Sequence, residues 1–221
     1  LVDLSQTIAP GIPLFGSQAP QPVIRPWMSH QTAAQNGQYE GCTCEITEVN
    51  LVTSLGTYLD SPYHFDPSGT SIDQLDLEQL VLPGIVIDCT PCQPDQPIGP
   101  EVLEGKSFRG KAVLFRTDWS RFWEIEDTYR RFPYLIESTA QALKEGGAKL
   151  AGVDFLVIDN TSNPRRPVHV TLLQSDMLIV ENLTNLDRLP AEGFTFYAVP
   201  VKVAGAAAFP VRAFAMLETT D

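Results

Sequence analysis

The chain has 221 residues, 43% of them hydrophobic and 19% charged, which is enough apolar content for one globular unit with a substantial core. A formal net charge of −12 excludes the basic footprint of sequence-independent nucleic-acid binding and disfavours docking on anionic membranes. There is no apolar run of membrane-spanning length and no signal-peptide order at the start, so the expectation is a cytoplasmic protein whose partner is a small molecule.

In chain order, residues 1–8 alternate enough for an opening strand. Residues 9–39, rich in Pro, Gln and Gly, predict a long loop of the kind that forms a lid, a binding loop or an arm onto a partner subunit. Its large groups are Trp27, Met28, His30 and Tyr39, read either as anchors of the loop or as the lining of a pocket in a second subunit. Residues 40–52 read as strands. The stretch 53–65 then packs Gly56, Asp60, Pro62, His64 and Phe65 closely together. If extended, it points Ser54, Tyr58, Asp60 and His64 to one face, and Pro62 takes the chain out of its sheet. A carboxylate and an imidazole at a strand end suit metal binding or proton transfer. The alternative is a plain polar strand end, with Asp60 capping a turn and His64 bonded to backbone.

Beyond it, 66–69 carry turn chemistry, 73–80 predict a short helix capped by Ser71, and 82–88 a strand. A Pro-rich loop over 89–100 leads to a central apolar strand at 111–117 and an irregular segment at 121–131. Residues 134–145 predict a helix ended by Gly146-Gly147. A buried strand at 150–158, a polar loop at 159–167 and a short helix at 168–174 follow, and strands at 178–183, 194–203 and 211–217 close the chain. Strands alternating with helices predict a single α/β domain over 1–221, with a mixed sheet and packed helices. Cys42, Cys44, Cys89 and Cys92 read as ordinary free thiols, with a four-cysteine zinc site as the alternative.

The run Gly56-Thr57-Tyr58-Leu59-Asp60-Ser61-Pro62-Tyr63-His64-Phe65 resembles the signature of the cyclase family, which includes kynurenine formamidases and isatin hydrolases and reads His-x-Gly-Thr-His-x-Asp-x-Pro-x-His-Phe. Further blocks resemble the family in order: Val2-Asp3-Leu4-Ser5, Gly152-Val153-Asp154, and Pro200-Val201-Lys202-Val203-Ala204-Gly205 with Phe209-Pro210-Val211-Arg212-Ala213. His169 and Glu181 stand twelve positions apart, as do the family's later ligands. The resemblance implies a cyclase-like swivelling β/β/α fold, a metal held by Asp60, His169 and Glu181, and His64 as the catalytic proton shuttle. The family's two remaining ligand histidines fall on Ser54 and Tyr58, so the implied cofactor is one divalent ion per chain, zinc or manganese. A subgroup with Gly-Thr-Tyr in this place makes Tyr58 a functional replacement, either a hydrogen-bond donor to an oxyanion or a filler of the lost metal's space. Arg165 and Arg166, just before His169, are candidates to receive a substrate carboxylate, and Trp27 is a candidate contact. The implied activity is hydrolysis of an amide, formamide or cyclic carbonyl bond in a homodimer or homotetramer. Two alternatives stand beside it: a small-molecule binding protein that has lost catalysis, and metal-free acid–base chemistry by His64 oriented by Asp60.

Overall fold

A computed structural model describes residues 1–16, 19–37 and 39–218. In chain order, β1 (Val2–Asp3) is followed by β2 (Val23–Met28), α1 (His30–Gln35) and β3 (Ile46–Asn50). The motif supplies β4 (Tyr58–Asp60) and a single 3₁₀ turn, Pro62–His64. Next come β5 (Val81–Asp88), β6 (Pro97–Ile98), β7 (Ala112–Arg116), α2 (Glu126–Tyr129), β8 (Tyr134–Leu135) and α3 (Glu137–Gly146). The chain continues through β9 (Leu150–Val153), α4 (Pro167–Leu173), β10 (Leu178–Glu181), β11 (Phe194–Tyr197), β12 (Ala208–Pro210) and β13 (Phe214–Leu217).

A nine-stranded mixed sheet runs in the order β1-β13-β11-β5-β7-β9-β10-β4-β12. Its centre, β5-β7-β9-β10, is parallel, and the strands on either side pair antiparallel. β5 serves both halves: Val81–Pro83 pair with β11 and Gly84–Asp88 with β7. Gly84 lies at the changeover, where the Phe194 ring occupies the space a Cβ would need. A bridge from Ser5 to Leu183 brings the opening strand back across the sheet and curls it.

Strand alternation sorts the core into two layers. Ile85, Ile87, Val113, Phe115, Ala151, Val153 and Ile179 face the helices. Val86, Leu114, Leu150, Val180 and Leu59 face the inside of the curl, with Val2, Leu4 and Phe196. Covered on both faces, β7 and β9 have no polar face to show, which is why they read as continuous apolar runs. α3 buries Thr139, Ala140 and Leu143 and stops at Gly147, whose φ of +77° closes the helix in the left-handed region.

The α/β class and the mixed sheet agree with expectation; several boundaries do not. Residues 9–39 are not one loop, because they contain β2 and α1, and β2 pairs with β3 in a separate two-stranded hairpin. The helix expected over 73–80 is two 3₁₀ turns, Ile72–Gln74 and Leu77–Gln79, each closed by its own capping box, at Ser71 and Asp76. The strand expected over 150–158 ends at Val153, and the helix expected from 134 begins at Glu137 behind β8. No helix among the described residues is long and apolar enough to cross a membrane.

Candidate metal and catalytic centre

β4 lies between β10 and β12, in a register that places Tyr58 opposite Glu181 and Asp60 opposite Ile179. Tyr58, Asp60 and Glu181 therefore project from the helix-covered face, and the Tyr58 hydroxyl donates to Glu181 Oε2. Gly56 sets up this strand: its φ is +63°, and a Cβ there would meet Ile8. The Thr57 hydroxyl donates to the Asn182 carbonyl at 2.6 Å, and Asn182 Nδ2 donates to the Gly56 carbonyl at 2.8 Å. This pair of bonds ties the motif to the strand that carries Glu181. His64 reaches the same place by the Pro62–His64 turn rather than by a continued strand, and Ser54 lies ahead of β4.

The C-terminal half of the site is built around Asp159. After β9 the buried segment Phe155 to Ile158 leads to this carboxylate, which accepts from the Val168 and His169 amides at 2.9 Å each. It also accepts from His169 Nδ1 at 2.6 Å. One acidic side chain thus caps the start of α4 and fixes the imidazole tautomer, leaving Nε2 to face the other carboxylates. Nε2 lies 3.4 Å from Glu181 Oε1 and 3.9 Å from Asp60 Oδ2. Glu181 Oε1 accepts from the Ile158 amide at 2.7 Å. Phe65 packs over His169, with ring centroids 4.7 Å apart, and edge-on to His64 at 4.9 Å. Sequence reasoning left Asp159 in a polar loop without a role. An Asp ending an apolar run ahead of a Pro-started helix is the one available signal, and it does not say which imidazole the carboxylate will hold.

Asp60 is fully buried, and neither of its carboxylate oxygens has a hydrogen-bond partner. His64 Nε2 stands 3.7 Å from Oδ1. Burial, then the charge of Glu181, raises the Asp60 carboxyl well above its usual range, against the pull of His169. Burial alone would neutralise His169, but its hydrogen bonds to Asp159 and Glu181 and the charges of Glu181 and Asp60 take it up to about 10. Burial and the charge of His169 lower His64, with Glu181 opposing. Burial, then Glu181 and Asp60, holds the Tyr58 phenol well above its usual range.

Three carboxylates around one imidazole make a site short of positive charge. An unpartnered buried carboxylate costs several kcal/mol unless a cation meets it. One donor atom each from Asp60, His64 and His169 lie within 4.8 Å of one another. Metal–ligand bonds of about 2.1 Å at tetrahedral angles separate donor atoms by about 3.4 Å, close to the 3.7 and 3.9 Å between Asp60 oxygens and the Nε2 atoms of His64 and His169. The donors present fit a divalent ion. The grouped donors are those of Asp60, His64 and His169, and Glu181 Oε1 stands beside them, 3.4 Å from His169 Nε2.

The centre opens into a cavity of about 300 Å³ lined by Phe15, Ser54, Tyr58, His64, Phe65, Val157, Arg166, His169 and Glu181. Ser54, one of the replaced ligand positions, is thus a wall residue. Tyr58, the other, has its hydroxyl engaged with Glu181. Arg166 reaches the cavity, whereas Arg165 is exposed and not in its lining. Trp27 is 69% exposed on the hairpin, away from the cavity of its own chain. Cys42, Cys44, Cys89 and Cys92 are free thiols, and none belongs to the cluster of metal-binding geometry.

These features define an α/β protein with a buried carboxylate–imidazole centre suited to a divalent cation. Residues 2–160 match the family model described as "Putative cyclase", and the chain belongs to this cyclase family. It is similar to the kynurenine formamidase of Maricaulis maris, with 28% identity over 96% of this chain and 95% of that protein. It is also similar to the kynurenine formamidase of Geobacillus thermodenitrificans, with 26% identity over the same shares. Among solved structures it resembles isatin hydrolase A from Ralstonia solanacearum, with a TM-score of 0.85 and 26% identity over 98% of this chain and 91% of that one.

Proposed function

We propose that this protein is a metal-dependent hydrolase that cleaves an amide, formamide or cyclic carbonyl bond in the manner of an arylformamidase. The observation that carries the reading is Asp60, a buried carboxylate with both oxygens unpartnered, facing two imidazoles. Asp60, His169 and Glu181 would hold one zinc or manganese ion. When bound, such an ion supplies a Lewis acid that acidifies water and polarises a carbonyl. The matches to two kynurenine formamidases and an isatin hydrolase support C–N bond hydrolysis.

His64 is the proton carrier. It is the most accessible of the three grouped side chains, with 30% of its surface exposed. Its lowered pKa keeps Nε2 free to take a proton at neutral pH and return it to the leaving amine. Asp159 holds His169 in one tautomer, and Tyr58 holds Glu181 in place through its hydroxyl. Phe65 keeps water from the side of the imidazoles that it covers.

As for assembly, a homo-oligomer would form through the β2–β3 hairpin, which exposes Val23, Ile24, Trp27, Ile46 and Val49. Trp27 would then act at the cavity of a second copy, and a Trp27→Glu, Val49→Arg variant should sediment as a smaller species than the native protein. A monomeric native protein would sink this part of the reading.

The test of function is elemental analysis of protein expressed with zinc and manganese, together with hydrolysis of formanilide. One ion per chain is expected, absent from an Asp60→Ala, His169→Ala double variant. His64→Ala should keep the ion and lose about 10² to 10⁴ in turnover. No ion in the native protein overturns the proposal. An ion with no hydrolysis of any aryl formamide, lactam or cyclic imide favours the alternative, a small-molecule binding protein, whose support is the replacement of two family ligands by Ser54 and Tyr58.

A further inference from the structure

Glu181 is followed by Asn182, whose φ of +58° turns the chain out of β10 in the left-handed region, a conformation that asparagine adopts more readily than most residues. Asn182 is 2% exposed, and its polar groups tie it to three other segments of the chain. Its amide donates to the Phe155 carbonyl at 3.1 Å, and its carbonyl accepts from the Thr57 hydroxyl. Nδ2 donates to the Gly56 carbonyl, and Oδ1 accepts from the Tyr129 hydroxyl at 2.8 Å. A carbonyl can only accept, so the Gly56 bond settles which end of the side-chain amide faces the motif.

These bonds sit where the motif enters the sheet. β4 is three residues long, and Asp60 is its last. Gly56 and Thr57 lead into it, so their placement against β10 sets how far Asp60 projects towards His169 and Glu181. Metal ligands tolerate errors of about 0.2 Å, so a small drift of this strand entry is enough to spoil the donor set. Tyr129, the last residue of α2, is fully buried, and its carbonyl accepts from Trp119 Nε1 at 3.2 Å. Trp123 stands edge-on to Tyr129, with ring centroids 5.3 Å apart, and packs against the small cluster of Ile12, Leu14 and Leu55. Residues 119–129 therefore grip the motif entry at two points, by apolar packing on the cluster that holds Leu55 and through Asn182 at Gly56.

We infer that Asn182 is a positioning residue of the metal centre, acting through Gly56 and Thr57 on Asp60, and that Tyr129 holds its side-chain amide in the working orientation. Neither residue lines the cavity, so the effect falls on donor geometry rather than on substrate contact. This role rests on the metal-dependent reading of the site, and it is measurable as metal affinity without turnover.

The experiment is zinc titration against a chromophoric chelator in the native protein and in Asn182→Gly, Tyr129→Phe and Thr139→Val. Glycine accepts the left-handed turn and keeps the backbone bonds, so Asn182→Gly deletes the side-chain amide alone. Tyr129→Phe deletes one buried hydroxyl; Thr139→Val deletes an equally buried one on α3, bonded to the Ile98 carbonyl at 2.7 Å. Zinc affinity should fall about 10- to 100-fold in Asn182→Gly, the range for groups that orient ligands, and about 3- to 10-fold in Tyr129→Phe. Thr139→Val should lose a comparable amount of melting temperature to Tyr129→Phe yet bind zinc as the native protein does. With Co²⁺ as the probe, the visible absorption bands, which report ligand geometry, should shift in the first two variants and not in the third. Native zinc affinity in Asn182→Gly and Tyr129→Phe, or an equal fall in Thr139→Val, overturns the inference and leaves the hydrolase reading standing. No ion in the native protein overturns both. Should Asn182→Gly not fold, Tyr129→Phe decides alone.

Discussion

The two halves of the centre are held in different ways. On the C-terminal side the imidazole and the carboxylate both have neighbours: His169 has Asp159, and Glu181 has the Ile158 amide and Tyr58. On the motif side Asp60 has none, and His64 Nε2 only stands 3.7 Å away from it. The first half is a finished framework, stable by its own hydrogen bonds. The second is complete only with something bound. Asp154 shows that burial does not cause the difference. It is as deeply buried as Asp60, yet it accepts from the Thr117 amide and hydroxyl.

The strongest way to break this contrast is Asp60→Asn. Bound metal should vanish and formanilide turnover should fall by at least about 10³-fold, since the ion's Lewis acidity goes with it. In chelator the same variant should be more stable than the native chain at neutral pH by about 1–3 kcal/mol, because a buried unpaired charge has been removed. The sign follows from linkage. The folded pKa of Asp60 lies above the ordinary value of 3.8, so native stability is full below that value and declines as pH rises through the folded pKa. The gain in melting temperature should therefore disappear near pH 4. A variant less stable than the native chain in chelator would mean that Asp60 has a partner after all.

Asp159→Asn attacks the finished half. It keeps an acceptor for the α4 amides but weakens the hold on His169 Nδ1, and metal affinity measured against a chromophoric chelator should drop about 10- to 100-fold. Unchanged affinity would show that packing by Phe65 alone orients the ring. The smallest effect on turnover is expected from Asp154→Asn. Burial raises the Asp154 carboxyl to about 7, against the Thr117 hydrogen bonds. Native stability should accordingly fall between pH 3.8 and about 7, by at most about 1.4 kcal/mol per pH unit, and level off above. The Asn variant should lack that part of the slope in denaturant titrations across this range, with hydrolysis kept. A slope identical to the native one would place the Asp154 pKa in the ordinary range.

Much of this was legible from residue order, where chemistry and spacing coincide. Asp60 and Tyr58 share a face because strand alternation is geometric, and His169 and Glu181 sit on α4 and β10, where apolar neighbours predicted a helix and a strand. The misreadings have physical causes. An apolar run states burial, not extension, so Phe155 to Ile158 looked like strand although the chain leaves the sheet there to bring Asp159 under α4. β2 carries Pro26 and is exposed along most of its length, so it shows no alternation to read. Asp159 escaped a full reading because its role depends on which groups fold onto it, and Arg166 because its role depends on which groups fail to reach it. Residue spacing does not record that.

The outermost strands of the large sheet are among its shortest. β1 has two residues and β12 three, and β12 carries Pro210, which has no amide hydrogen to offer. Pro26 interrupts the donors of β2 in the same way. A nine-stranded sheet with long open borders would be a template for adding strands from other molecules, the route to cross-β aggregation. Here backbone pairing stops within the molecule. With borders this short, the large sheet offers little backbone for such additions, so the protein should stay dispersible at concentrations where the exposed apolar side chains of its hairpin alone would suggest precipitation.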